Sequence, residues 1–322
     1  MRWGAILKHS AMSTLLRLEG VIPILATPFH DDESLDLDSL DRMIRFFAGV
    51  GADAVTLLGV LGESNRLSDA ERLELIRAAV SAAGNTPVIV GCSHTGTAAT
   101  IALCHEAAAL GAEAVMIAPS RQPIPNDDAV FAYYSRIAEK TKLPIVLQDH
   151  PASTEVHMPV ALILRIAREI PAVACIKAEA VPSPSKIAAL RAGLPEERNI
   201  PILTGLGALY GFFDLERGSD GFNTGFAFPE VLIAIMGAVR AGNPNAAFEI
   251  YRRYLPLIVY EQQPGLAIRK EILRRRGLIS SGRVRHPGAT IDAPTATQLS
   301  AVLERSFPGQ DLTKAVTVQR PT

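Results

Sequence analysis

The chain lacks an excess of charge of either sign: 32 lysines and arginines face 33 aspartates and glutamates, a net charge of -1 over 322 residues. Such a balance gives no electrostatic footprint for nucleic acid or an anionic membrane, and it suits a small enzyme with a neutral surface. Cysteine is scarce too. Cys92, Cys104 and Cys175 lie in apolar contexts without metal-ligand spacing, which excludes a disulfide framework and predicts reduced, structural thiols in a cytoplasmic protein. The histidines offer no metal cluster either, and His94 and His105 read as structural. No apolar run approaches the roughly 20 residues that span a bilayer. Residues 1–13 carry Arg2 and Lys8 but no sustained apolar core, so they do not read as a signal peptide, and Met12 stands as a second possible start. No low-complexity segment is present.

What the sequence does have is alternation. Short apolar runs at 21–26, 54–58, 87–91, 114–118, 144–147, 173–176, 202–204 and 221–224 read as strands. Amphipathic helical segments lie between and after them, at 37–50, 69–83, 97–110, 127–140, 160–169, 185–192, 209–216 and 229–241. Ser68 with Glu71 forms a capping box for the second helix, and Asp38 is expected to cap the first. Eight β-then-α units in a row predict an α/β fold of the (β/α)8 TIM-barrel type. A doubly wound sheet is the rival, but Ala26-Thr27-Pro28-Phe29 stands where its glycine-rich phosphate loop would be. Three more helices, at 245–260, 265–276 and 295–307, predict a C-terminal appendage packed on the barrel or on a neighbouring subunit. The expected organisation is an N-terminal extension at 1–18, the barrel at 19–241, the helical segment at 242–308 and a frayed tail at 309–322.

Lysine is sparse, and one of the seven stands out. Lys177 closes the apolar run Val173-Ala174-Cys175-Ile176, while the other lysines fall in polar or helical surroundings, so Lys177 alone is expected to be desolvated. Burial disfavours an ammonium and makes the amine a nucleophile that can form a Schiff base with a ketone. The local sequence leaves a second reading open, a lysine snorkelling to solvent from a strand end. Barrel active sites collect at the C-terminal ends of strands. There the sequence places Gly59 to Ser64, Ser120 and Arg121, Gln148 to His150, Lys177 and Glu179, Thr204, and Asn223 and Thr224.

Taken together, Thr27-Pro28-Phe29, Gly59-Val60-Leu61-Gly62-Glu63-Ser64, the run ending at Lys177, and Gly218-Ser219-Asp220-Gly221 resemble the dihydrodipicolinate synthase / N-acetylneuraminate lyase family of class I aldolase-type lyases, over roughly residues 18–307. The resemblance implies that Lys177 is the Schiff-base lysine, that no cofactor or metal is needed, and that the chain assembles as a homotetramer, a dimer of dimers. The departures from the family pattern matter as much. Val60 and Leu61 replace two threonines, Gln148 replaces a tyrosine acid/base, Arg121 stands near the place of a relay tyrosine, and Ser153 replaces an arginine. An amide orients but does not exchange protons near neutral pH.

Two residues are candidates to replace the lost tyrosine. Glu179, two positions beyond Lys177, should project to the same face of the strand; otherwise it is a loop glutamate paired with an arginine. His150 is the other, because an unperturbed imidazole is suited to proton transfer, and its plainer reading is a loop histidine held by Asp149. The expected substrate-binding set is Gly59, Val60, Leu61, Gly62, Glu63, Ser64, Arg121, Thr204, Asn223 and Thr224, with the substrate carboxylate on the Val60 and Leu61 amides and hydroxyl contacts from Ser64 or Asn223. Glu63 could equally well cap its own loop. The pattern resembles the branch of the family that dehydrates 2-keto-3-deoxy sugar acids such as 2-keto-3-deoxyarabonate. The alternatives are a synthase or pyruvate-dependent aldolase of the same family, or a barrel that binds a 2-keto acid without turnover. The expected partner is thus a small 2-keto acid, with neither nucleic acid nor membrane.

Overall fold

A computed structural model describes residues 16, 18–122, 126–263 and 265–319. Apart from Leu16 and Leu18, the expected N-terminal extension with Met12 lies outside the described residues. The elements run β1 (Gly20–Pro23), α1 (Leu37–Gly49), β2 (Val55–Leu57), α2 (Asp69–Ala83), β3 (Val88–Gly91), α3 (Thr97–Ala109), β4 (Ala114–Ile117) and α4 (Asp127–Ala138). They continue with β5 (Ile145–Asp149), a single-turn α5 (Pro151–Thr154), α6 (Val160–Glu169), β6 (Val173–Ala178), α7 (Ser183–Gly193), β7 (Ile202–Thr204), α8 (Gly211–Glu216), β8 (Gly221–Thr224) and α9 (Pro229–Arg240). The C-terminal helices are α10 (Pro244–Tyr260), α11 (Leu266–Arg275) and α12 (Ala293–Ser306).

All eight strands pair in parallel, in the order β1-β8-β7-β6-β5-β4-β3-β2. The ring closes between β1 and β2, where Ile24 bridges Thr56 and the Leu25 N–H donates to the Thr56 carbonyl at 2.8 Å. At the β1–β8 seam Gly20 lies opposite Gly221, and a Cβ on Gly221 would run into the Gly20 backbone, so only glycine lets these strands approach. Successive strand residues face opposite ways. Ile22, Ile89, Met116, Val146, Cys175 and Leu203 fill the barrel interior, while their neighbours join the larger core beneath the helices. This is the (β/α)8 barrel.

The capping box of Ser68 and Glu71 forms as expected. The cap of α1 is Asp36 and not Asp38: the Asp36 carboxylate accepts from the Ser39 N–H at 2.9 Å, leaving Asp38 in the first turn. The C-terminal helices pack on the barrel itself, α10 along α9 and α12 across α10. Phe307 at the end of α12 stacks 4.4 Å from Phe228 and 5.1 Å from Tyr254. Fully buried Arg276 binds Glu230 between the rings of Phe228 and Phe46. The tail is not frayed over its described part: Val316 is buried, and its N–H donates to Glu230 Oε1 at 3.2 Å.

Candidate active site

Lys177 and Glu179 sit two positions apart at the end of β6 and point into the barrel mouth, as the two-residue period of a strand requires. Both are buried, and Lys177 Nζ stands 3.2 Å from Glu179 Oε2. Gln148 lies beside Lys177 on the neighbouring strand, and its Nε2 donates to the same carboxylate oxygen at 2.8 Å. The other oxygen accepts from the Leu206 N–H at 3.2 Å. Gly205 makes this seat possible, because a Cβ there would collide with the Glu179 carboxylate. Burial pushes the Glu179 carboxyl up, but Lys177, His150, the Gln148 amide and the Leu206 N–H outweigh it and hold the group below the ordinary glutamate value.

These groups border a cavity of about 150 Å³, whose wall also includes Ile24, Val60, Leu61, His150, Thr224 and Gly225. His150 follows β5, and its Nδ1 lies 2.6 Å from the Ser153 hydroxyl. Asp149 does not hold it. It faces the other side of the strand and pairs with Lys186 Nζ at 2.6 Å. Beneath Lys177, burial pushes the Cys175 thiol up, which keeps it an inert part of the floor. A larger cavity of about 640 Å³ opens between α3 and α4, with Ser120, Arg121 and Tyr133 in its lining; Lys177 and Glu179 do not border it.

Of the residues expected at the site, the structure gathers Lys177, Glu179, Gln148, His150, Val60, Leu61 and Thr224 around the small cavity. Gly59 and Gly62 flank Val60 and Leu61 in the loop; the Gly62 carbonyl accepts from the Thr27 hydroxyl at 2.6 Å. Five others stand elsewhere. Glu63 has a left-handed backbone (φ 52°), and its carboxylate turns into the protein, meeting Lys270 Nζ at 2.5 Å, Arg66 at 2.8 Å and the Arg285 N–H at 3.0 Å. Ser64 begins the next turn, where its carbonyl receives Arg72 at 2.7 Å. Arg121 borders the larger cavity and pairs with Glu155. Thr204 faces outward and donates to Asp214. Asn223 faces inward but does not border the small cavity; its Nδ2 donates to the Ile22 carbonyl and the Thr56 hydroxyl, both at 3.0 Å, while its Oδ1 is buried without a partner among the described residues.

Lys177 is not the only desolvated lysine. Lys270 on α11 is fully buried, and burial lowers it from an ordinary 10.5 to about 8 despite Glu63. His105 hydrogen-bonds the Lys140 carbonyl at 2.8 Å and His94 accepts from the Gly96 N–H at 3.1 Å, so both serve loops. Among the described residues no group of three or more His, Cys, Asp or Glu could hold a metal ion. Sequence reasoning missed Gln262 and Arg269, which reach the cavity from the C-terminal helical segment. The only local hint is an arginine next to Lys270 in an otherwise amphipathic helix.

The chain is 33% identical over 313 residues to the L-2-keto-3-deoxyarabonate dehydratase of Azospirillum brasilense, an alignment covering 92% of this chain and 97% of that one. It is 30% identical over 294 residues to the 4-hydroxy-tetrahydrodipicolinate synthase of Chlorobium luteolum, covering 89% and 97%. The crystal structure of dihydrodipicolinate synthase from Rhodopseudomonas palustris superposes with a TM-score of 0.84 at 36% identity, covering 89% of this chain and 97% of that one. The sequence model of the Dihydrodipicolinate synthetase family matches residues 17–306, barrel and C-terminal helices alike. A match of that extent, joined to a shared fold, makes this chain a member of the dihydrodipicolinate synthetase family.

Proposed function

We propose that the chain is a Schiff-base lyase that removes water from a 2-keto-3-deoxy sugar acid of the 2-keto-3-deoxyarabonate kind, with Lys177 as nucleophile and no cofactor. The observation that carries this reading is the Glu179 carboxylate 3.2 Å from Lys177 Nζ, in a cavity whose described lining includes no tyrosine. The Lys177 amine adds to the C2 carbonyl, and that oxygen leaves as water to give an iminium. Glu179 takes a proton from C3 to form the enamine. The enamine's electron pair then expels the C4 hydroxyl, which departs as water with a proton from His150 or a bound water. The conjugated iminium then loses a proton from C5, which makes C5 an enol; protonation at C3 and ketonisation through C4 carry it to the aldehyde, and hydrolysis frees the semialdehyde and restores the amine.

Carbon-carbon cleavage instead needs a base on the C4 hydroxyl, and the Gln148 amide is not basic enough near neutral pH to take that proton. The substrate carboxylate is placed on the Val60 and Leu61 amides, which survive the loss of threonine hydroxyls because an amide donor does not depend on its side chain. The Azospirillum relative, named as a dehydratase, supports the reading. We further propose a cytoplasmic homotetramer, which light scattering at micromolar concentration would test. For the reaction, the test is to supply a 2-keto-3-deoxy sugar acid and follow the dehydrated semialdehyde and free pyruvate separately. Semialdehyde should lead. Pyruvate appearing first, with Glu179→Gln indifferent, would refute dehydration and leave an aldolase.

A further inference from the structure

The cavity has one wall that the barrel does not make. Gln262, in the turn after α10, and Arg269, on α11, meet at Gly207 in the loop that follows β7. Gly207 has a positive φ of 63°, and a Cβ there would strike the Gln262 amide and stand 2.7 Å from Arg269 Nη2. Glycine therefore admits both side chains to the mouth.

Their remaining hydrogen-bonding capacity is specific. Arg269 is buried, and its Nε is held 3.2 Å from Glu261 Oε2, itself fully buried. Its two terminal nitrogens make no other hydrogen bond among the described residues. Gln262 Nε2 donates to the Ile258 carbonyl at 3.1 Å, which fixes the amide's orientation and leaves Oε1 as a free acceptor. The two residues thus offer donors, with the Gln262 nitrogen beside Arg269 Nη2 at Gly207, together with one unused acceptor. A hydroxyl, which both accepts and donates, matches that pair. A carboxylate or phosphate could take the donors but would leave that acceptor without a partner.

Charge points the same way. Lys177 is balanced by Glu179, and Arg269 by Glu261 above about pH 7, because burial pushes the Glu261 carboxyl from an ordinary 4.5 up to about 7 despite Arg269. The substrate's own carboxylate already adds one negative charge, and among the described residues no lysine or arginine besides Lys177 and Arg269 borders the cavity for a second. At about 150 Å³ the space also suits a short chain.

We infer that Arg269 and Gln262 are specificity-determining residues that take the distal hydroxyl of the substrate, at the end away from the keto acid. This rests on the proposed Lys177 chemistry at that other end, but it holds whether the enzyme dehydrates or cleaves.

The test uses the full-length enzyme, with total consumption of keto acid as readout. Wild type, Arg269→Lys, Arg269→Met and Gln262→Leu are compared on a 2-keto-3-deoxy sugar acid and, by borohydride trapping and mass, on pyruvate, which has no distal hydroxyl. Hydrogen bonds to a charged donor are worth about 10- to 100-fold in affinity. Arg269→Met should raise KM for the sugar acid by about that much, Gln262→Leu by about tenfold, and Arg269→Lys should recover part of the loss. Pyruvate trapping should stay within about threefold of wild type. Gln262→Leu leaves the Glu261–Arg269 pair intact, so it answers even if Arg269→Met fails to fold. Pyruvate trapping that falls in step with the sugar acid would overturn the inference in favour of a carboxylate or purely structural role. Unchanged KM in both Gln262→Leu and Arg269→Lys would overturn it as well. Wild type that traps no keto acid would instead remove the Schiff-base reading underneath, and the inference with it.

Discussion

A single methyl group at position 205 should separate activity from stability. Gly205 backs the Glu179 side chain so closely that an alanine Cβ would overlap its carboxylate and the carbons leading to it. The atoms in the way are the far end of a flexible side chain, so the fold can yield by rotating Glu179 out of its seat. Gly205→Ala should therefore cost little stability, on the order of 1 kcal/mol for a displaced hydrogen-bonded group. Activity should pay more. At 3.2 Å and an effective dielectric of about 20, the Glu179–Lys177 attraction is about 5 kcal/mol before desolvation. A positioned acid-base group typically contributes about a hundred- to ten-thousand-fold. Turnover in Gly205→Ala should fall into that range, matching Glu179→Gln. The double variant should be no worse than either single one, because both remove the same group. Borohydride trapping on Lys177 should persist in all three, since the nucleophile is untouched. The assays are steady-state turnover, urea unfolding and intact mass. Near-wild-type turnover in Gly205→Ala, or losses that multiply in the double variant, would refute the role given to Glu179's position.

Other outcomes follow from the same geometry. Peptide mapping after borohydride reduction with pyruvate should place the adduct on Lys177, and Lys177→Met should form none; an adduct on buried Lys270 would contradict the site. Gln148→Leu removes one donor from Glu179 and should lower turnover about tenfold, measured at saturating substrate; no change would mean that the amide does not orient the carboxylate. The hydrogen bond from Arg285 lowers Glu71 from an ordinary 4.5 to about 2. Because the folded-state value is the lower one, this stabilisation is present above pH 4.5 and is lost as pH falls from there toward 2. The pair is partly exposed, so solvent screening leaves on the order of 1 kcal/mol. Urea midpoints at pH 5 and 3 should show a steeper loss in wild type than in Glu71→Gln.

The barrel was legible because parallel strands buried on both faces produce apolar runs that helical patterns interrupt, and nothing else in this chain mimics that rhythm. The Lys177 and Glu179 pairing was legible for a similarly local reason, the two-residue period of a strand. That same period would have corrected Thr204, since Leu203 faces inward and its neighbour must face out; taking every residue after a strand ignored the pleat. Glu63 was harder, because its direction is set by a left-handed backbone and a lysine more than two hundred residues away. Gln262 and Arg269 lie beyond any local rule. An amphipathic helix shows which face it buries and gives no sign of which opening it will cover.

The glycine seam between β1 and β8 imposes an order in time. Gly20 is synthesised about 200 residues before Gly221, and at about 5–20 residues per second the first strand waits roughly 10–40 s for its partner. During that interval its apolar edge has no mate on that side and is open to pairing with another chain. The ring cannot close on that side until β8 has been made, because β8 is the neighbour that β1 pairs with there. Production in the cell should accordingly depend on what shields β1 while the chain is still being made, and slower translation of the middle third should lower the yield of soluble protein without changing the stability of the molecules that succeed.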